Sequence, residues 1–412
     1  MSCWIPLPKN TQFPVQNLPY GIFSSPHHAP RLCTRVGDHI LDLARVAEGG
    51  FFDGLDIPRS VFSSPVLNDL MALGKARTRP LRQRLQDLLQ SGSPLATQAD
   101  TLLFALGEVQ LHLPIHIGDY TDFYSSKEHA TNVGKMFRPD GDALLPNWLH
   151  LPVGYHGRAS SIVVSGVPVH RPLGQTMPEG ADTPIFGPSR LLDFELEMAF
   201  VTCQGTALGD RITTETAEEH IFGLMLFNDW SARDIQKWEY VPLGPFLGKS
   251  FASSLSPWVI PLEALEPFRT TSPTPERPLL PYLQCQGEHT FDITLEVAVQ
   301  PKDAEEVVVC RSNYKYLYWN MVQQLVHQSS NGCNINVGDL YASGTISGAT
   351  PDSFGSLLEL TWRGTKPIPM PDGSSLKFLR DYDTVIMRGV AQNDTLRIGF
   401  GEVRTEILPV KA

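Results

Sequence analysis

The six cysteines of this 412-residue sequence (Cys3, Cys33, Cys203, Cys285, Cys310 and Cys333) form no CxxC pair and no dense cluster. That spacing excludes a thiolate zinc site and a disulfide framework, and it suits free thiols in a reducing compartment. Basic residues are also scarce. The 33 Lys and Arg stand against 44 Asp and Glu, a net charge of −11, which is the wrong sign for a nucleic-acid or anionic-membrane partner. No apolar run approaches the ~20 residues of a membrane-spanning helix. The opening stretch, MSCWIPLPKN, lacks the charged-then-apolar order of a secretory leader, so a cytoplasmic protein is expected. The sequence has no internal repeat and no flavin-, nicotinamide- or phosphate-binding loop.

What is present is ordinary globular material, 42% hydrophobic and 19% charged, long enough for about two domains. Residues 1–50 alternate strand-like pieces with Pro and Gly turns, as in RVGDHILDLARV at 35–46. Residues 66–90 read as helix, with Leu81, Leu85, Leu88 and Leu89 on one face. Helical periodicity stops near residue 112, which sets a boundary between a small mixed β domain, 1–112, and a larger one, 113–412. The larger part is rich in short alternating strands such as HTFDITLEVAVQ and SLLELTWRG. Two helices are expected in it. One is at TAEEHIFG behind a Thr cap; the other runs about four turns through YKYLYWNMVQQLVHQSSNG to a stop at Asn331–Gly332. The proline-rich segment 267–282 reads as a surface loop. The fold class expected is a mainly β, α+β protein whose larger domain is a sandwich or roll.

One strand carries an unusual face. In LDFELEMAF, 192–200, period-two alternation sends Phe194, Leu196, Met198 and Phe200 one way and Asp193, Glu195 and Glu197 the other. Water would explain an acidic face on an antiparallel sheet. Like charges on one strand face repel, however, unless a cation or base lies between them. Four other stretches concentrate chemistry. GDYTDFYSSKEHATNVGKMFR, 118–138, packs Asp122, Tyr124, His129 and Arg138 into a loop-like run. LMLFNDWSARDIQKWEY, 224–240, sets Asp229 past a strand end and puts Arg233, Gln236 and Tyr240 on one helical face, with a pairing of Arg233 to Asp234 or Asp229 as the plainer explanation. VPLGPFLGKSF holds Lys249 among glycines, and GDLYASGTISG, 338–348, runs from a strand end into a Gly/Ser/Thr loop. Together, Asp122, Glu195, Glu197 and Asp229 make an all-oxygen set, which selects Mg²⁺, Ca²⁺ or Mn²⁺ over zinc or iron.

These stretches, with LPNWLHLPVGYHGRASS, closely resemble the fumarylacetoacetate hydrolase family, densely over about 112–405. The resemblance implies an N-terminal SH3-like barrel, a C-terminal mixed β-sandwich roll and a homodimer. It implies hydrolysis of a carbon–carbon bond in 4-fumarylacetoacetate, giving fumarate and acetoacetate, the last step of tyrosine and phenylalanine degradation. By the same resemblance a cation sits on Asp122, Glu195, Glu197 and Asp229. His129 is the base, and Glu359 orients it. Arg233, Gln236 and Lys249 stabilise an oxyanion. Tyr124, Arg138, Gln236, Tyr240 and Thr345 contact substrate. A second Mg²⁺ uses Asp229, the backbone of Lys249 and Ser253, where the family often has Thr. Asp193 matches no ligand, so Asp193→Asn is expected to be far milder than Glu197→Gln. An acylpyruvate or other β-diketo acid hydrolase or decarboxylase of the same superfamily would share the site chemistry; a non-catalytic Ca²⁺-binding structural protein would need only the carboxylates.

Overall fold

The computed structural model describes residues 3–138 and 140–411. Its centre is an eight-stranded mixed sheet. In spatial order it contains Gly154–His156, Tyr120–Phe123, Leu340–Ala342, Leu196–Thr202, Ile221–Asp229, Ser253–Leu255 and Ile162–Val164, and Ile260–Pro261 also pairs with Ile221–Asp229. The pairs of Leu340–Ala342 with Tyr120–Phe123 and of Ser253–Leu255 with Ile162–Val164 are parallel. The central pair, Leu196–Thr202 with Ile221–Asp229, is antiparallel.

This sheet is covered on both faces, and side-chain alternation assigns each face its own core. Leu196, Met198 and Phe200, with Leu224 and Leu226, join a cluster with a second sheet built on Ile293–Gln300, Thr384–Gln392 and Arg397–Leu408. Ala199, Val201, Met225 and Phe227 point the other way, into a cluster shared with residues of the N-terminal part such as Ile22, Leu41 and Leu81. That part is an antiparallel five-stranded sheet, ordered Leu103–Ala105, His39–Asp42, His28–Val36, Tyr20–Ser25 and Gln110–His112. The whole is a mainly β, α+β architecture, as expected.

Several elements differ from the sequence expectation, each for a local reason. The acidic stretch is not one strand. Leu192–Asp193 pairs with Ser231–Ala232, and the long strand starts only at Leu196. The run 118–138 is not a loop: it is the strand Tyr120–Phe123 followed by the helix Lys127–Phe137, started by Ser126, whose hydroxyl accepts from the His129 N–H at 3.3 Å. The helix expected over 66–90 breaks at Gly74 (φ +73°) into Asn68–Met71 and Lys75–Leu88, while Leu81, Leu85 and Leu89 are buried as expected. The helix ending at Asn331–Gly332 spans only Met321–Ser329, because Asn320 and Gln323 form a capping box that begins it late. Thr216 makes no side-chain cap. Among the described residues, no helix is long and apolar enough to cross a membrane.

Candidate active site

Sheet order brings the acidic residues together. Asp122 and Glu197 lie on strands flanking Leu340–Ala342, and Asp229 ends the strand beside Glu197's. Their carboxylates each offer an oxygen within 4.8 Å of the others. All three are essentially buried, at 2%, 0% and 1% exposure. Asp122 Oδ1 and Glu197 Oε1 have no hydrogen-bond partner. Tyr120 and Tyr155 donate to Asp122 Oδ2 at 2.9 and 3.2 Å, and Tyr155 also reaches Asp229 Oδ2 at 3.1 Å. Burial first, then repulsion within the cluster, pushes the carboxyls of Asp122 and Glu197 well above their ordinary values. Buried, clustered carboxylates with bare oxygens fit a hard divalent cation, which supplies the missing bonds and the missing charge. The acidic face therefore does not look at water.

Glu195 departs from the expected set of four. Its carboxylate is taken by two cations: Arg233 Nη1 at 2.7 Å and Lys249 Nζ. Burial would raise its pKa, but Lys249 and Arg233 hold it well below the usual range. Lys249 Nζ also donates to Asp229 Oδ2 at 2.6 Å, so an ammonium, held charged by Asp229 and Glu195 against the effect of burial, sits inside the anionic cluster. Ser253 Oγ donates to Asp229 Oδ1 at 3.0 Å, so Asp229 contacts both Lys249 and Ser253. Arg233 pairs with neither Asp234 nor Asp229. Its Nε donates to Asp193 Oδ2 at 2.9 Å, and Nη2 is buried without a partner.

Across the cavity His129 Nδ1 lies 2.6 Å from Glu359 Oε2, both side chains buried. A carboxylate accepts here, so Nδ1 carries the hydrogen and Nε2 is left to take a proton. Asn132 donates to Glu359 Oε1 at 3.0 Å, and the hydroxyls of Ser347 and Ser356 also donate to it. Burial works against its charge, but His129 and these donors hold the Glu359 carboxyl below its ordinary value. Glu359 sits in the short helix Leu357–Leu360, started by the Ser356 hydroxyl.

Members of the acidic cluster, its ion pairs and the His129–Glu359 pair open onto one cavity of about 440 Å³. It is lined by Asp122, His129, Glu195, Arg233, Gln236 and Lys249, and by the expected substrate contacts Tyr124, Arg138, Tyr240 and Thr345. The Tyr124 ring meets the His129 ring edge-on at 5.3 Å. Gln236 Oε1 accepts from Arg233 Nη1 at 3.3 Å, and Thr345 Oγ1 is buried without a partner. Arg138 is exposed and donates to the carbonyl of Ala143 at 2.8 Å. Tyr155, Tyr120, Asn132, Ser347 and the contacts of Asp193 to Arg233, Leu357 and Leu358 were not anticipated from the sequence. Only the polar density of VGYH and TISG could have pointed to the first and fourth of these.

Gly344 closes the floor of the site. Its N–H donates to Glu197 Oε2 at 2.9 Å, its φ is +77°, and a Cβ there would lie 2.2 Å from the Phe123 carbonyl oxygen. Gly344→Ala is expected to destabilise the fold by about 2 kcal/mol or more, because strain and a backbone clash add. A urea midpoint equal to wild type would contradict that.

Comparison with known proteins is consistent over nearly the whole chain. Residues 16–114 match the family model described as fumarylacetoacetase N-terminal, and residues 119–408 match fumarylacetoacetate (FAA) hydrolase C-terminal. The chain is 52% identical to a fumarylacetoacetase of Homo sapiens, covering 98% of each chain. It is 47% identical to one of Arabidopsis thaliana, covering 99% of each. Among solved structures, a fumarylacetoacetate hydrolase of Exiguobacterium antarcticum aligns with a TM-score of 0.53 at 17% identity, over 95% of this chain and 99% of that one, which speaks to fold alone.

Proposed function

The chain belongs to the fumarylacetoacetate hydrolase family, and on that premise we propose that it hydrolyses a carbon–carbon bond of 4-fumarylacetoacetate, releasing fumarate and acetoacetate. The observation that carries this reading is the pairing of a buried His129–Glu359 couple with a buried acidic cluster around one cavity. The curated relatives named fumarylacetoacetase, about half identical from end to end, support the same substrate.

In this reading His129 Nε2 removes a proton from the attacking water, and Glu359 holds the ring tautomer and stabilises the imidazolium that results. Addition of water to the carbonyl creates an alkoxide. Arg233, Gln236 and Lys249 line the cavity as donors for that charge, and the unpartnered Nη2 of Arg233 is a donor already free to act. Carbon leaves only as an enolate, so cleavage needs an electron sink at the diketone. Asp122, Glu197 and Asp229 would hold a Ca²⁺, Mg²⁺ or Mn²⁺ ion, and such an ion would polarise carbonyl oxygens as a Lewis acid. Asp229 and Ser253 would hold a second ion beside Lys249, whose ammonium is not itself a ligand. Tyr124, Arg138, Tyr240 and Thr345 bind the substrate's oxygens. The protein acts as a homodimer in the cytoplasm.

The test is loss of the diketone absorbance on mixing with fumarylacetoacetate, run beside an acylpyruvate. Turnover of the first is the expected result. Turnover of acylpyruvate alone would overturn the assignment in favour of another β-diketo acid hydrolase.

A further inference from the structure

Asp193 contributes to no cation cluster and is fully buried. Its carboxylate makes three contacts, to two different parts of the site. Oδ2 accepts from Arg233 Nε at 2.9 Å and from the Leu358 N–H at 3.0 Å, while Oδ1 accepts from the Leu357 N–H at 2.7 Å. Arg233 belongs to the helix Arg233–Glu239, which lines the cavity beside Gln236. Leu357 and Leu358 open the helix that carries Glu359 and thereby orients His129. Arg233 and Leu357 are 124 residues apart in sequence. The Asp193 carboxylate, fully buried, bonds to both of them directly.

We propose that Asp193 is a positioning residue that sets the distance between the charge-stabilising side of the cavity and the His129–Glu359 pair. This rests on the roles given above to Arg233 and Glu359, and it runs against the expectation that Asp193→Asn is far milder than Glu197→Gln. The geometry requires a carboxylate. An asparagine of the same size offers one oxygen and one NH₂ to three donors, so either orientation of the amide sets an N–H against an N–H. Arg233 would then be left with Glu195 as its one carboxylate and would be drawn toward it. Misplacing a catalytic group by about an ångström is enough to cost roughly 10²-fold in rate without touching the substrate.

The experiment is steady-state kinetics of Asp193→Asn on fumarylacetoacetate, alone and combined with Arg233→Gln and with Glu359→Gln. The expected result is a kcat about 10²-fold lower with KM changed by less than about threefold, since the groups misaligned are those of the transition state. Asp193 acts through its neighbours, so the substitution costs much less on the Arg233→Gln and Glu359→Gln backgrounds than in wild type. If Asp193→Asn does not fold, Asp193→Asn/Arg233→Gln removes the stranded cation and is compared with Arg233→Gln. A kcat within about threefold supports the proposal, and a further loss of about tenfold or more overturns it. A single variant with kcat near wild type, or double variants that lose the full product of the single factors, also overturn it. Full activity in Arg233→Gln or Glu359→Gln would remove the underlying roles and the proposal with them. Impairment in those variants without impairment in Asp193→Asn would overturn the proposal alone.

Discussion

Replacing His129 by alanine is expected to reduce kcat for fumarylacetoacetate by about 10²- to 10⁴-fold, the range for loss of a positioned general base. Fold and cation binding should be retained. Water near neutral pH is a weak nucleophile, and among the described residues His129 is the one histidine lining the cavity. Its Nδ1 is fixed by Glu359, and Glu359 is fixed in turn by Asn132, Ser347 and Ser356. Such a chain of bonds holds one ring orientation, which a hydrolytic base requires and an incidental buried histidine does not. Glu359→Gln should follow the same direction, since an amide can present its NH₂ to Nδ1 and so favour the wrong tautomer. Stopped-flow loss of the diketone absorbance, with a thermal melt as control for folding, measures both. Wild-type turnover in His129→Ala would remove it from the mechanism and favour a protein that only binds a cation.

The second large effect is at Glu197. Glu197→Gln keeps the size and removes one buried charge, and divalent-cation affinity is expected to fall by about 10²-fold or more, at least the cost of disturbing an outer-shell partner. Turnover should fall with it. The metal-free protein adds a pH signature. Burial and mutual repulsion place the folded-state carboxyls of Asp122 and Glu197 above their ordinary values of 3.8 and 4.5. A group raised in the folded state contributes most below its unfolded value, and that contribution is lost as pH rises through the raised one. The metal-free protein should therefore lose stability as pH rises above the ordinary carboxylate range. Added Ca²⁺ or Mg²⁺ should raise its melting temperature more at pH 8 than at pH 5, by mass action and by displacement of protons. Coincident melts with and without cation at both pH values would mean that the cluster binds none.

How far the sequence reading carried differs from residue to residue. Alternation along Leu196–Thr202 was readable because it reports which face each side chain takes, and both faces proved buried against different cores. Asp122, Glu197 and Asp229 could be grouped because their strand contexts and the family resemblance agree. Glu195 could not be separated from them. Its distinction lies in Arg233 and Lys249, 38 and 54 residues away, whose approach is set by tertiary packing. The run around His129 read as loop because its apolar positions are few, and Ser126 as a cap was overlooked. Asp193 drew a milder expectation than Glu197 because it matches no ligand of the family, and its contacts are to a side chain and two N–H groups reached only in the folded chain. Tyr155 likewise joins Asp122 to Asp229 from the edge strand of the sheet.

The central claim is that the buried acidic cluster and the His129–Glu359 pair operate together on one diketo substrate. The direct measurement is turnover of fumarylacetoacetate by protein stripped with a chelator, its metal content checked, then titrated with Ca²⁺ or Mg²⁺. Loss of diketone absorbance should stop in the stripped protein and return as the cation saturates a site that Glu197→Gln lacks. Full turnover by protein verified to be free of metal would contradict it.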